Sequence, residues 1–368
     1  MTLRRRQFLK GVATAGAAAG AATLASPAIA QGKIEWRMVT TWPKNFPGQG
    51  TSAERFAKNV GEATDGRLTI KVYAAGEMVP AFESIDAVIR GAADLMHATP
   101  YYWPNKSKAL NFFSTVPFGM TTLEIDAWIN FLGGQELWDK LYDQFGLKPF
   151  HGGSTGVQMG GWFNKEITNV DSVKGMKMRI PGIGGEALRK IGMTTLNLPA
   201  GEIFAALQSG TIDATEWVGP YNDLALGFYK VAKYYYWPGM HEPATQSEIT
   251  VDKKKFTALP KDIQRIFEAC CRADNNLFTS EFNARNGAAL ETLIRQHNVQ
   301  LKRLPNDFLQ AYGNAAGEVI QEMRDSGDPI TKEVVESFLK ARRDLMNWSR
   351  IADQGFMNAR LLDIKFPT

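Results

Sequence analysis

Three side chains stand out as able to do chemistry: an arginine and two glutamates, each closing a short apolar run bounded by chain breakers. Arg179 lies in Val173-Lys174-Gly175-Met176-Lys177-Met178-Arg179-Ile180-Pro181-Gly182. Its flanks alternate as in a strand and Pro181-Gly182 ends it, so the guanidinium would project from a strand end. Open α/β sheets bind ligands at such ends, and a planar guanidinium grips a carboxylate through two parallel hydrogen bonds, which a lysine cannot do. From spacing alone a surface arginine fits equally well. Glu216-Trp217 follows the run 211–215 and leads into a turn at Gly219-Pro220. There the carboxylate would hold a cation or a donor while the indole covers apolar atoms. Glu242, in Gly239-Met240-His241-Glu242-Pro243, follows the run 234–237. Two glutamates facing one anionic ligand repel unless a cation joins them. Taken singly, each also reads as a solvated loop acid.

Other motifs do not reach a known chemistry. Gly182-Ile183-Gly184-Gly185 lacks the G-x-G-x-x-G spacing of a dinucleotide site, and His241-Glu242 lacks the second histidine of a metalloprotease helix. Gly152-Gly153-Ser154-Thr155-Gly156 is not a nucleophile elbow. His97, His151, His241 and His297 show no zinc-ligand spacing. Cys270 and Cys271 are adjacent, a poor geometry for a disulfide, and read as helix residues. The aromatic loop Tyr101-Tyr102-Trp103-Pro104 fits a cleft lining or a core equally.

The elements that must position these residues alternate. A strand at 34–41, a helix at 52–63, a strand at 68–73, a helix at 82–89 and a strand at 94–98 indicate parallel α/β layers. Ile85–Asp94 and Ile203–Asp213 share one plan, an amphipathic helix, a glycine stop and a strand opening on Asp, as two similar lobes would produce. After Pro260 come long helices at 261–296, 306–324 and from Ile330 to about Arg360. The last carries Phe338, Leu345, Met346, Trp348, Ile351 and Phe356, an apolar face that needs a partner surface. The expected fold class is α/β with two lobes and long C-terminal helices. Its expected parts are residues 1–30 for export, 31–155 for the first lobe, 156–245 for the core of the second, 246–328 returning to both, and 329–368 for the final helix.

Residues 1–30 have the layout of an exported leader. Arg5-Arg6-Gln7-Phe8-Leu9-Lys10 reads as a twin-arginine signal, followed by a small-residue apolar stretch and an Ala28-Ile29-Ala30 cleavage site. The leader holds four basic and no acidic residues, so the 42 basic and 38 acidic side chains of the chain become 38 of each afterwards. A charge-balanced mature chain carries no basic field for nucleic acid. Its 338 residues exceed one ordinary core, which again suggests two lobes.

At Val173–Gly182, Pro199–Ala214 and Glu216–Asp223 the chain resembles the solute-binding subunits of tripartite ATP-independent periplasmic (TRAP) transporters, and the likeness runs over nearly all of the mature chain. Gly160-Gly161-Trp162, Glu216–Asp223 and Trp237-Pro238-Gly239 resemble the branch that binds 2-oxo acids such as pyruvate. The resemblance implies a two-lobed, periplasmic binding protein type II-like fold. It implies that Arg179 and Gln158 meet the ligand, and that Glu216, the backbone of Trp217 and Glu242 hold a Na⁺ or Ca²⁺ ion bridging it, with no organic cofactor. It further implies a small carboxylate ligand, a periplasmic location, the membrane subunits of a TRAP transporter as partners, and a homodimer formed by exchange of the final helix. The twin-arginine signal departs from the general-secretion signal usual in this family and implies export after folding. An exported enzyme on small carboxylates and a ligand-sensing partner of a membrane receptor are the other readings. The first lacks any cysteine cluster, haem motif or dinucleotide fingerprint; the second is chemically identical to a transport receptor.

Overall fold

The computed structural model describes residues 32–365, so the twin-arginine segment lies outside the described residues. Four strands come first: β1 (Ile34–Thr40), β2 (Leu68–Tyr73), β3 (Leu95–Ala98) and β4 (Leu147–Ser154). Five follow: β5 (Gly161–Phe163), β6 (Lys177–Arg179), β7 (Thr194–Leu196), β8 (Ala214–Thr215) and β9 (Tyr234–Trp237). The last two are β10 (Gln246–Asp252) and β11 (Gln300–Arg303). They form two sheets, ordered β2-β1-β3-β10-β4 and β11-β9-β5-β8-β6-β7, each the centre of one lobe.

The sheets are mixed, where the sequence suggested parallel layers. β1 runs parallel to β3, and β6 to both β7 and β8, but β10 and β5 run antiparallel to their neighbours. The reason is topological. β5 and β10 are the strands by which the chain enters each sheet from the other lobe. They arrive at the cleft, where the parallel strands end, and so run back the opposite way. Glu248 of β10 pairs with Ala98, the last residue of β3, and Gly161 of β5 pairs with Tyr236 near the end of β9.

The helix Lys261–Arg295 braces both lobes, burying Phe267, Phe278 and Phe282 against β4 and the helices Gln49–Ala63 and Pro220–Leu226. Gly153 of β4 makes this possible: its φ is +130°, and a Cβ there would lie 2.4 Å from Cγ of Phe278. Neighbouring Gly152 has the backbone of Glu248 at 2.8 Å from where its Cβ would stand. Gly153 therefore lets the helix approach the strand, where a side chain would strain both backbone and packing, while Gly152 lets β10 approach β4. Cys270 and Cys271 are unpaired and buried on this helix.

The final helix departs from expectation. It divides into Pro329–Ser349 and Asp353–Ala359. The first buries Thr331, Val334, Val335, Phe338 and Ala341 against the body, and no residue of the second is buried. Beyond Ala341 only Arg342, whose Nε donates to the Phe118 carbonyl at 2.8 Å, and the half-buried Leu345 still tie the helix to the body, and tertiary packing is what stabilises most helices. Met346, Trp348, Ile351, Phe356, Leu361 and Leu362 are left exposed.

Candidate functional site

The strand ends build the site. In the parallel ladder Arg179 of β6 is level with Leu196 of β7 and Thr215 of β8. Glu216, the residue after β8, thus emerges directly beside the arginine. The loop between β9 and β10 brings in His241 and Glu242. All four are sealed from solvent: Arg179 is 1 % exposed, Glu216 0 %, His241 2 % and Glu242 2 %. The surface-arginine and solvated-acid readings are thereby removed.

Arg179 is heavily engaged. Its Nε donates to the Leu198 carbonyl at 3.0 Å, and its Nη1 to the Glu216 carbonyl at 3.3 Å and to the Glu216 carboxylate. Nη2 has only a long contact of 3.5 Å to Asn197 Oδ1. The two-oxygen grip expected for an incoming carboxylate is thus half taken by Glu216, and Nη2 is the donor with most to offer. The Trp217 ring lies 5.0 Å from the guanidinium carbon, a cation–π contact that also orients the arginine.

The acidic side is less satisfied. Glu216 Oε2 has no hydrogen-bond partner and stands 3.5 Å from His241 Nε2, which has none either. Glu242 accepts only from the Thr245 hydroxyl through its side chain. One ligand atom each from Glu216, His241 and Glu242 fall within 4.8 Å of one another. Burial raises the Glu216 carboxyl to about 7 even though Arg179 pulls it down. Burial first, and the charge of Glu216 second, raise Glu242 to about 8. Burial lowers the His241 imidazole, keeping it neutral. A buried carboxylate pair with one cation between them carries an excess of negative charge, and a positive partner would relieve it.

Gln158 closes the other side. Its Nε2 donates to Thr155 Oγ1 at 3.1 Å and Thr245 Oγ1 at 2.9 Å, while its Oε1 is buried without a partner. Its backbone N–H donates to the Glu242 carbonyl at 3.2 Å, so the two loops are tied together. Trp217 packs edge-on to Trp42 and Phe46 of the first lobe, at centroid distances of 6.4 and 6.0 Å. Between Trp42, Trp217, Tyr101, Tyr102 and Gln158 is a cavity of only about 10 Å³, roughly the room for one water. Of the aromatic loop, Tyr101 and Tyr102 line the cleft and are buried, Trp103 is buried, and Pro104 is exposed. A ligand can enter only if the lobes part.

All five residues expected at the site, Gln158, Arg179, Glu216, Trp217 and Glu242, meet here. Two others were not found from sequence. His241 was set aside for lack of metal-ligand spacing; only the fold brings it against Glu216. Asp223 accepts from Tyr235 Oη at 2.7 Å, Trp162 Nε1 at 2.9 Å and the Val218 amide at 3.3 Å, and so fixes the loop that carries Glu216 and Trp217. Its place three residues after Gly219-Pro220 was the available signal.

Residues 38–326 match the bacterial extracellular solute-binding protein family 7. The chain is similar to a monocarboxylate 2-oxoacid-binding periplasmic protein of Nostoc sp., 38 % identical over 361 residues, covering 97 % of this chain and 98 % of the relative. It superposes with a TM-score of 0.87 and 36 % identity on a TRAP transporter solute-binding protein from Bordetella bronchiseptica, a mixed-occupancy dimer with copurified calcium and picolinate, over 89 % of this chain and 97 % of that one. The TM-score is 0.86, at 40 % identity, against a TRAP periplasmic solute-binding protein from Pseudoalteromonas atlantica with bound sodium and pyruvate, over 89 % of this chain and 99 % of that one. The chain belongs to family 7, the extracytoplasmic solute receptors of TRAP transporters, and is a binding protein rather than an enzyme. Among the described residues no helix is long and apolar enough to cross a membrane.

The buried carboxyls predict a pH dependence. Asp223 is raised by burial to about 7, beside Glu216 at about 7 and Glu242 at about 8, all above their unfolded values of 3.8 and 4.5. The folded state therefore holds these protons longer than the unfolded one, and stability falls as pH rises through the folded values. The buried histidines act oppositely, with His97 and His151 lowered by burial from 6.5 to about 4, but their effect is complete by about pH 6.5. Urea unfolding of chelator-treated, ligand-free protein should show stability declining from pH about 6.5 to about 8.5, with a shallower decline in Asp223→Asn. A flat or rising profile in wild type would contradict the burial of these groups.

Proposed function

We propose that this receptor captures a small 2-oxo acid such as pyruvate together with a Na⁺ or Ca²⁺ ion and presents it to the membrane subunits of a TRAP transporter. The observation that carries the reading is the solvent-free cluster of Arg179 with Glu216, His241 and Glu242, in which a carboxylate oxygen and an imidazole nitrogen lack partners. The donor set fits a cation: two carboxylates converge, and burial, with the charge of Glu216 acting on Glu242, raises the proton affinity of both. Glu216, Glu242 and the backbone of Trp217 would hold the ion. When bound, it supplies the positive charge that allows both glutamates to ionise beside an anionic ligand.

The chain's own groups then divide the ligand. Arg179 offers Nη2, and Nη1 once Glu216 is engaged elsewhere, to the carboxylate. Gln158 lines the ligand side of the cleft with its Nε2 held by Thr155 and Thr245, which leaves its Oε1 free to accept from a donor or to face the cation. Trp42, Tyr101, Tyr102 and Trp217 exclude water around the small apolar remainder and leave little room for a bulky one. Two glutamates and one arginine leave one negative charge in excess, and a monocarboxylate makes it two. One divalent ion cancels that excess, and a monovalent ion halves it.

Twin-arginine export and a homodimer complete the proposal. The exposed apolar face from Met346 to Ile364 supports the dimer, since a second copy could cover it by exchange. The related Bordetella bronchiseptica protein is described as a dimer.

Two measurements check these points. In titration calorimetry with pyruvate and Ca²⁺, Arg179→Ala should lose about 2–5 kcal/mol of binding, because it leaves a desolvated carboxylate unpaired. Arg179→Lys should recover only part, as an ammonium cannot reproduce the fork. Unchanged affinity in a folded Arg179→Ala protein would remove Arg179 from the site. Light scattering of residues 31–368 at micromolar concentration should give twice the chain mass; a monomeric mass would exclude the exchanged dimer.

A further inference from the structure

Two asparagines make paired contacts between the lobes, one on each flank of the cleft, and neither lines the central cavity. Asn111 belongs to the first lobe, in the turn Lys108–Phe113. Its Oδ1 accepts from the amide of Ile183, at the start of the second-lobe helix Gly182–Lys190, at 3.2 Å. That helix begins at Pro181 with no side-chain cap of its own. The first turn of a helix leaves unsatisfied N–H groups, and here the other lobe provides an acceptor for one of them. Asn222 belongs to the second lobe, on the helix Pro220–Leu226. Its Nδ2 donates to the carbonyl of Pro47 in the first lobe at 2.9 Å, while its Oδ1 is buried without a partner.

Each asparagine meets a glycine of the opposite lobe. Gly182 has φ +62°, and a Cβ there would stand 2.5 Å from Asn111 Oδ1. Gly48 has φ +74°, and a Cβ there would stand 3.5 Å from Asn222 Nδ2 and 2.5 Å from the Phe282 ring. Both glycines adopt a left-handed backbone that other residues resist, and at Gly182 a side chain would also push the asparagine away. Asn111 is 3 % and Asn222 0 % exposed. The nearby Lys108–Glu186 pair, 3.2 Å apart and largely exposed, adds little on the Asn111 flank.

We propose that Asn111 with Gly182 and Asn222 with Gly48 form two latches that hold the lobes closed and set how long the ligand is retained. The proposal rests on the reading that ligand enters through lobe opening. The latches act as positioning residues. The Asn111 latch joins the helix that follows Arg179, and the Asn222 latch joins the helix that follows Glu216 and Trp217. Both are made only when the lobes meet, so they bias closure without touching the ligand.

The test uses residues 31–368 with pyruvate and Ca²⁺. Asn111→Ala and Asn222→Ala should each weaken binding by about three- to tenfold, as the loss of one net hydrogen bond implies. The loss should lie mainly in a faster dissociation rate and be roughly multiplicative in the double variant. The thermal midpoint of ligand-free protein should move less than that of the pyruvate-bound protein, because without ligand the lobes part for some of the time and the latches are then broken. Spin labels on the exposed positions Lys58 and Lys165, one per lobe, give a second reading, in which the variants should shift towards the longer separation. Wild-type dissociation rates, or an equal destabilisation of the ligand-free protein, would overturn the latches. So would distance distributions identical in wild type and variants, whether or not pyruvate binds. Failure of wild type to bind pyruvate, with the distances still shifted, would instead count against the 2-oxo acid and leave the latches standing.

Discussion

The structure is organised around one electrostatic problem, the removal from water of Arg179, Glu216 and Glu242 together. Burying ions is expensive unless each meets an opposite charge and enough hydrogen bonds. Arg179 meets that condition, with the Leu198 and Glu216 carbonyls, the Glu216 carboxylate and the face of Trp217 around it. The glutamates meet it only in part, and their raised proton affinities record the deficit. The fold tolerates this because rigid elements hold the groups in place. The β6–β8 ladder sets Arg179 and Glu216 side by side, and Asp223 pins the following loop to Trp162 and Tyr235.

With both glutamates ionised, the excess charge inside the closed cleft would act as a means of recognition. A neutral ligand would leave the excess in place, and an anion alone would worsen it. On the proposed reading a cation bound with the anion offsets the excess, wholly if divalent and by half if monovalent, which couples the identity of the ligand to the presence of an ion. Closure strengthens every such interaction by excluding water, so the contacts that hold the lobes together and those that hold the ligand reinforce one another. The long helix Lys261–Arg295 lies against both lobes, and Gly153 of β4 lets it approach closely enough to serve both.

Much of this was legible in the residues. Strand ends are marked by breakers, so Pro181-Gly182, Gly219-Pro220 and Pro243 put Arg179, Glu216 and Glu242 at strand ends, where a cleft and a solvated surface read alike, and the repulsion of two glutamates sharing one cleft called for a cation. Strand β2 and the helix Asn306–Arg324 lie where the apolar periodicity put them. What could not be read depends on distance in space. His241 gains meaning only against Glu216, twenty-five positions away, and no local spacing encodes that. The antiparallel courses of β5 and β10 follow from the chain crossing between lobes, a property of topology and not of propensity. The break after Ser349 reflects the end of the packing surface, and an apolar face looks the same in sequence whether or not a surface lies beneath it.

The central claim is that ligand and cation bind as one unit because the buried glutamates require it. Its most direct test is calorimetric titration of pyruvate into residues 31–368 in chelated, sodium-free buffer and again at rising Ca²⁺ or Na⁺. Affinity should climb with the cation in wild type, and that dependence should weaken in both Glu216→Gln and Glu242→Gln. Equal pyruvate affinity with and without cation would contradict the account.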